Sequence, residues 1–166
     1  AKSGVWIEAP LPFDPRGLAA GILDKNNTTS FYDPAGTVWS FRDKIWLKSS
    51  ITPASDRTGI LRYVDNDNIA EWIGKRIHKW DAAKGRWTPQ THVVPANLHL
   101  ADPSILFVDL NADGFEDILF SNKTRWGIYL WETRVNPGLG WRPGWSYVVA
   151  EGLREDLDAL PMISRG

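Results

Sequence analysis

The chain contains no cysteine. That removes disulfides, thiolate chemistry, cysteine-ligated zinc and covalent haem attachment through Cys-x-x-Cys-His. Histidine is scarce, and His78, His92 and His99 show no ligand spacing with acidic neighbours, so a histidine-based metal or acid–base centre finds no support. No apolar run approaches the roughly 18 residues of a membrane-spanning helix. The richest stretch, Ser104 to Val108, soon meets Asp109. An excess of charge is also lacking: a net charge of -1 argues against a polyanion such as nucleic acid as partner. There is no initiator methionine and no charged-then-apolar leader, which reads as a chain processed or truncated at Ala1.

Catalytic signatures are missing as well. No Gly-x-Ser-x-Gly, phosphate-loop or His-Glu-x-x-His pattern occurs. The glycines of Gly138-Leu-Gly140-Trp-Arg-Pro-Gly144 precede no helix and contain Pro143, so they read as a turn rather than a dinucleotide loop. Glu116 and Asp117 are adjacent and fall on opposite faces of a strand, which prevents their facing each other as an acid/base pair. The chain is expected to be non-catalytic.

What is abundant is tryptophan, ten in 166 residues. Large aromatics favour pleated, half-buried surfaces, so this content suits an all-β protein of many short strands. Strand-like segments fall at Thr37 to Phe41, Lys44 to Lys48, Gly59 to Val64, Glu71 to Ile73, Arg76 to Trp80, Thr91 to Val94, Ser104 to Asp109, Asp117 to Ser121, Gly127 to Glu132 and Ser146 to Ala150. Helical turns are expected only at Arg16 to Leu23 and Leu153 to Leu160.

Two stretches repeat one order of elements. Ile60-Leu-Arg-Tyr-Val-Asp65, Glu71-Trp-Ile73, Ile77-His-Lys-Trp-Asp81 and His92-Val-Val94 correspond to Ile105-Leu-Phe-Val-Asp109, Asp117-Ile-Leu119, Ile128-Tyr-Leu-Trp-Glu132 and Tyr147-Val-Val149. Aligning Asp65 with Asp109 gives a spacing of 44 (109 − 65), within the roughly 40 to 50 residues of a four-stranded propeller blade. The expected fold is therefore a partial β-propeller of four-stranded antiparallel blades. Residues 1–58 form a degenerate repeat with an N-terminal extension, 59–103 and 104–152 two clear repeats, and 153–166 an extension or the start of another.

Asp109-Leu-Asn111-Ala-Asp113-Gly114-Phe115-Glu-Asp117 carries oxygen ligands at alternate positions around a glycine that permits a sharp curl, the pattern of a calcium loop. The expected ligands are the side chains of Asp109, Asn111, Asp113 and Asp117 with the Phe115 carbonyl. An EF-hand is rejected because Phe120 stands where a bidentate glutamate is needed and the flanks read as strands. In the earlier repeat, Asp65 to Glu71 is two residues shorter between the same anchors and lacks the glycine. It reads as a relic turn, with a looser ligand set of Asp65, Asp67 and Glu71 left open.

The phrase Phe107-Val-Asp-Leu-Asn-Ala-Asp-Gly-Phe-Glu-Asp-Ile-Leu-Phe-Ser-Asn122 resembles the FG-GAP/VCBS repeat. More narrowly, Arg125-Trp-Gly-Ile-Tyr-Leu-Trp131 and Asp158-Ala-Leu-Pro-Met-Ile-Ser-Arg165 are similar to the propeller region of planctomycete-type haem-binding, membrane-bound dehydrogenase-like proteins. That resemblance implies a calcium-stabilised propeller, export to the periplasm or beyond, and a place within a larger polypeptide or complex that continues past this chain. The cytochrome module and its Cys-x-x-Cys-His motif are absent here, so the redox role is not carried over. The leading expectation is a scaffolding or interaction module whose partners are other subunits or missing blades, with Trp39, Trp46, Trp72, Trp126, Trp141 and Trp145 as candidate interface anchors. Two alternatives remain: the substrate-side propeller of a quinoprotein or haem-linked sugar dehydrogenase, and a calcium-dependent lectin with carbohydrate as partner.

Overall fold

The computed structural model describes residues 10–135, 137–139 and 142–164. It is all-β, built as three consecutive four-stranded antiparallel sheets. Sheet A holds β1 (Ala19–Ile22), β2 (Thr29–Asp33), β3 (Thr37–Arg42) and β4 (Ile45–Ser50). Sheet B holds β5 (Ile60–Arg62), β6 (Glu71–Ile73), β7 (Ile77–Asp81) and β8 (Arg86–Pro89), and sheet C holds β9 (Ile105–Val108), β10 (Asp117–Ser121), β11 (Arg125–Glu132) and β12 (Gly144–Leu153). In every sheet spatial order follows chain order, so each is a simple meander. Among the described residues no helix is long and apolar enough to cross a membrane.

Turn chemistry sets the strand boundaries. At the β3–β4 hairpin Asp43 and Lys44 both have positive φ (49° and 67°), the two-residue turn whose twist matches the flanking strands. At β2–β3 the Asp33 carboxylate accepts the Ala35 amide at 2.8 Å, and the Gly36 amide closes on the Asp33 carbonyl at 2.9 Å.

Side chains alternate across the strands, and the inward faces form two cores. Tyr32 and Val38 of sheet A pack with Trp72 and Trp87 of sheet B. Ile73 and Ile77 of sheet B pack with Ile105, Phe107, Ile118, Phe120, Tyr129, Trp131 and Trp145 of sheet C. The sheets thus stack in series through their faces, with sheet B in the middle. The segment after β8 is stitched to β12: Val93 donates to the Pro143 carbonyl at 2.8 Å and accepts the Trp145 amide at 3.0 Å.

Several sequence expectations are corrected. The Arg16 to Leu23 stretch is not a helical turn: Ala19–Ile22 pairs with Thr29–Tyr32 as a strand. Gly17 and Gly21 weaken a helix there, and a side chain at Gly21 would approach the Ala70 Cβ to 3.0 Å. Leu153 ends β12 while Leu157 is fully exposed, so the supposed apolar stripe has nothing to bury against. Thr91 to Val94 makes only an isolated bridge, Val93 to Gly144, and the fourth strand of sheet B is Arg86–Pro89 instead. The first 58 residues hold a full four-stranded sheet, β1 and β2 having gone unread. Among the described residues no sheet closes on itself or on another to complete a ring.

Candidate cation-binding loops

The β9–β10 connection curls because Ala112 (φ 59°) and Gly114 (φ 88°) take left-handed backbone on either side of Asp113. For glycine this is free. For alanine it costs about 1–2 kcal/mol, strain of the kind that collects at functional sites. The curl turns amides inward onto the acidic side chains. Asp109 accepts the Asp113 amide on Oδ1 at 3.1 Å and the Gly114 amide on Oδ2 at 3.0 Å. Asn111 accepts the Asp113 amide at 3.2 Å and donates through Nδ2 to Asp113 Oδ2 at 2.9 Å, while Asp113 Oδ1 accepts the Phe115 amide at 2.9 Å. The Phe115 ring stacks on Trp131 with centroids 6.1 Å apart.

Asp117 stands apart from this tip. It is fully buried at the start of β10, its Oδ2 accepting the Leu110 amide at 2.9 Å and its Oδ1 the Trp131 amide at 2.8 Å. Two of its roughly four lone-pair sites are thereby used by the loop base. The structure therefore joins Asp109, Asn111 and Asp113 directly and ties Asp117 to them through the backbone. The site in which three acidic groups bring one oxygen each within 4.8 Å of one another is, among the described residues, Asp65, Asp67 and Glu71.

That second loop is the structural twin of the first, and its register differs from the sequence alignment. The Val64 amide donates to Glu71 Oε2 at 3.0 Å as the Leu110 amide donates to Asp117 Oδ2. Asn66 and Asn68 have positive φ (58° and 61°) where Ala112 and Gly114 do. Asp67 Oδ1 accepts the Ile69 amide at 2.9 Å as Asp113 accepts that of Phe115. Strand pairs agree: Arg62 faces Glu71, and Val108 faces Asp117. The offset is 46 (117 − 71), not 44, and the loops are equal in length. Asp65 matches Asn111, Tyr63 stands where Asp109 does, and Asn68 supplies the left-handed backbone that Gly114 supplies.

The decisive difference comes from the opposite strand. Beyond the pair Trp72↔His78 stand Glu71 and Lys79, and beyond Ile118↔Tyr129 stand Asp117 and Leu130. Lys79 Nζ reaches Asp65 Oδ2 at 2.7 Å, hydrogen-bonds Asp67, and lies 3.5 Å from Glu71 Oε1. Burial alone lowers the lysine pKa, but its bonds to Asp65 and Asp67 outweigh that and hold it above the usual lysine range. Burial, with the neighbouring Asp65 charge adding to it, pushes the fully buried Glu71 up to about 8 against the pull of the Val64 amide and Lys79. Asp67, despite some burial, is lowered by Lys79 and the Ile69 amide. Among the described residues Asp109, Asp113 and Asp117 have no ion-pair partner. The donor set of the 109–117 loop, all oxygen, fits a hard cation such as Ca²⁺.

The candidate interface tryptophans separate into two groups. Trp72, Trp126 and Trp145 are buried on strands, with the Trp72 and Trp145 indoles donating to the Asp56 and Glu116 carbonyls at 2.6 and 2.7 Å, so the expectation that they anchor a partner is corrected. They are interior packing. Trp39 and Trp46 lie half-buried on the outer face of sheet A, where Phe13 stacks on Trp39 at 4.5 Å and meets Trp46 edge-on at 5.4 Å. Trp141 lies outside the described residues. Sequence reasoning missed Lys79, which sits between residues of a β-strand that otherwise reads as packing. No family model, curated protein or solved structure matches the chain.

Proposed function

We propose that this chain is a non-catalytic module of three propeller-type blades, held at its third blade by Ca²⁺, that serves as a scaffold within a larger extracytoplasmic assembly. The observation that carries it is the stacking of the three meanders with both terminal faces left apolar. On sheet A, Phe31, Trp39, Phe41 and Trp46 face away from the core, joined by Phe13. On sheet C, Leu106 and Tyr147 lie on the face opposite core-facing Phe107 and Tyr129 and are 41% and 54% exposed. These faces resemble in kind the ones that meet between A and B and between B and C, so their natural occupant is a further four-stranded sheet. Closed propellers have about four to eight blades, and three fall short. Exposed apolar faces of this extent mark interaction surfaces. The likeness of the 107–122 phrase to FG-GAP/VCBS repeats supports the same reading and the periplasmic or extracellular setting.

Calcium would be held by the side chains of Asp109, Asn111, Asp113 and Asp117 with the Phe115 carbonyl. Bound there, it would supply the positive charge that Asp109, Asp113 and Asp117 lack among the described residues and tie the tip to the base of β10. The test is a melting curve of the full chain in EDTA and in millimolar Ca²⁺. Binding to the folded state alone raises stability by about 2.7 kcal/mol at a hundredfold excess over Kd, so a clear rise is expected that Asp113→Ala removes. Identical curves with and without calcium would overturn the calcium reading. A monodisperse, isolated 18.7 kDa monomer that binds no apolar-surface dye would overturn the scaffold reading.

A further inference from the structure

The two loops are superimposable in backbone pattern yet differ in how their negative charge is met. In sheet C, Asp109, Asp113 and Asp117 are met by amides and have no ion-pair partner among the described residues, while Glu116 of the same loop pairs with Arg62 at 3.9 Å. In sheet B the ammonium of Lys79 lies within ion-pair distance of all three acids. An independent feature points into the same spot: Glu71 is fully buried, yet its Oε1 accepts no hydrogen bond. Its counterpart Asp117 has the Trp131 amide at the corresponding oxygen. That buried oxygen of Glu71 is turned toward two further carboxylates and has the Lys79 ammonium 3.5 Å away, a place that a positive charge or a proton completes.

We infer that Asp65, Asp67 and Glu71 form a divalent-cation site that Lys79 keeps closed: its ammonium takes the place of the ion, and neutralising it opens a site for Ca²⁺. Charge and reach both support this. Three oxygens within 4.8 Å of one another, one from each acid, suit a hard ion with further ligands from water and backbone carbonyls. Lys79 also lines an open cleft of about 770 Å³ between sheets A and B, with Asp24, Arg42, Trp80 and Gln90, so solvent and ions reach the site once the ammonium is gone. The tethered ammonium has an advantage in any medium: it needs no free ion and loses no translational freedom on binding. The result is one blade whose loop is independent of calcium beside one whose loop depends on it. The contrast rests on the reading of the 109–117 loop given above, whereas the role of Lys79 does not.

The experiment counts ions. Lys79→Leu copies Leu130, and Lys79→Arg keeps the charge. Ca²⁺ stoichiometry by calorimetry and Tb³⁺ luminescence excited through tryptophan, with Trp80 beside the site, are read on the full chain. The Leu variant is expected to hold one ion more than its parent and the Arg variant the same number. Asp113→Ala placed in both backgrounds reports separately on the 109–117 loop, since it lowers both counts by one if that loop binds and changes neither if it does not. Equal counts for Lys79→Leu and its parent in millimolar Ca²⁺ would overturn the inference. Should the Leu variant not fold, Asp67→Ala in the otherwise native chain decides: unchanged ion count and unchanged calcium-induced melting shift are expected, and loss of an ion would show that the triad binds metal with Lys79 in place.

Discussion

Asp117 is expected to act on stability whether or not an ion is present, and Asp117→Asn isolates that role. The native carboxylate is fully buried and accepts two backbone amides, from Leu110 at 2.9 Å and Trp131 at 2.8 Å. An asparagine retains one acceptor and turns an NH₂ group toward the other amide. One charge-assisted bond, worth about 1.5–3 kcal/mol, is lost, and a buried amide is left without a partner at a further 1–3 kcal/mol or so. The combined loss is about 2.5–6 kcal/mol, a large share of the roughly 5–15 kcal/mol that holds a domain together. For a chain of this length each kcal/mol moves the melting temperature by about 2–4 °C. A fall of about 10 °C is therefore expected by calorimetry in EDTA. The control is Asp113→Asn at the exposed tip, where an amide oxygen can still accept the Phe115 amide. It should shift the EDTA melting curve little and act mainly when calcium is present. An Asp117→Asn chain that melts with the wild type in EDTA would refute the idea that this carboxylate organises the loop base.

Two further outcomes are expected. The folded-state pKa of Glu71 is raised from 4.5 to about 8, chiefly by burial, so the folded chain holds its proton more tightly than the unfolded chain. Its contribution is full below about pH 4.5 and is lost as the pH rises through about 8. Glu71→Gln keeps the neutral form and an acceptor for the Val64 amide, so its melting temperature should gain on the wild type steadily between pH 5 and 8.5; a constant difference would contradict the assignment. Gly144 has φ 135°, and an added Cβ would meet the Val93 amide nitrogen and carbonyl oxygen at 2.4 Å. Gly144→Ala should break the stitch between residue 93 and β12, which two hydrogen bonds maintain, and lower stability by about 3 kcal/mol or more. A crystal structure of the variant with both hydrogen bonds intact would contradict that.

The sheets were legible where residues alternate and turns are punctuated. Thr37 to Phe41 reads as a strand, and the structure pairs it there with Val38 in the core and Trp39 on the outer face. β1 was not legible, because Ala19-Ala-Gly-Ile22 has neither branched nor aromatic content and is strand only through its pairing with Thr29–Tyr32. Tryptophan burial was hidden for a related reason: Trp72 and Trp145 neighbour polar turns in sequence, and only the stacking of one sheet on the next encloses them.

At the loops, identity of residues misled and geometry corrected. Matching aspartate to aspartate aligned Asp65 with Asp109 and made the earlier loop appear two residues short. Left-handed backbone is compatible with asparagine as well as glycine, so Asn66 and Asn68 can replace Ala112 and Gly114 without any glycine signature, and the true equivalence of Asp67 with Asp113 goes unseen. The shortened alignment then suggested a failed metal loop, although the failure is not one of length. What differs lies a strand away. Ile77-His-Lys-Trp-Asp81 and Ile128-Tyr-Leu-Trp-Glu132 had already been placed side by side, and they set a charged Lys79 against an apolar Leu130 at a position that faces the loop acids. A lysine on one side of such a pair, opposite a buried glutamate, costs too much desolvation to be neutral packing. Its presence is best accounted for by the negative charge gathered in front of it, and at the corresponding place β11 sets the apolar Leu130.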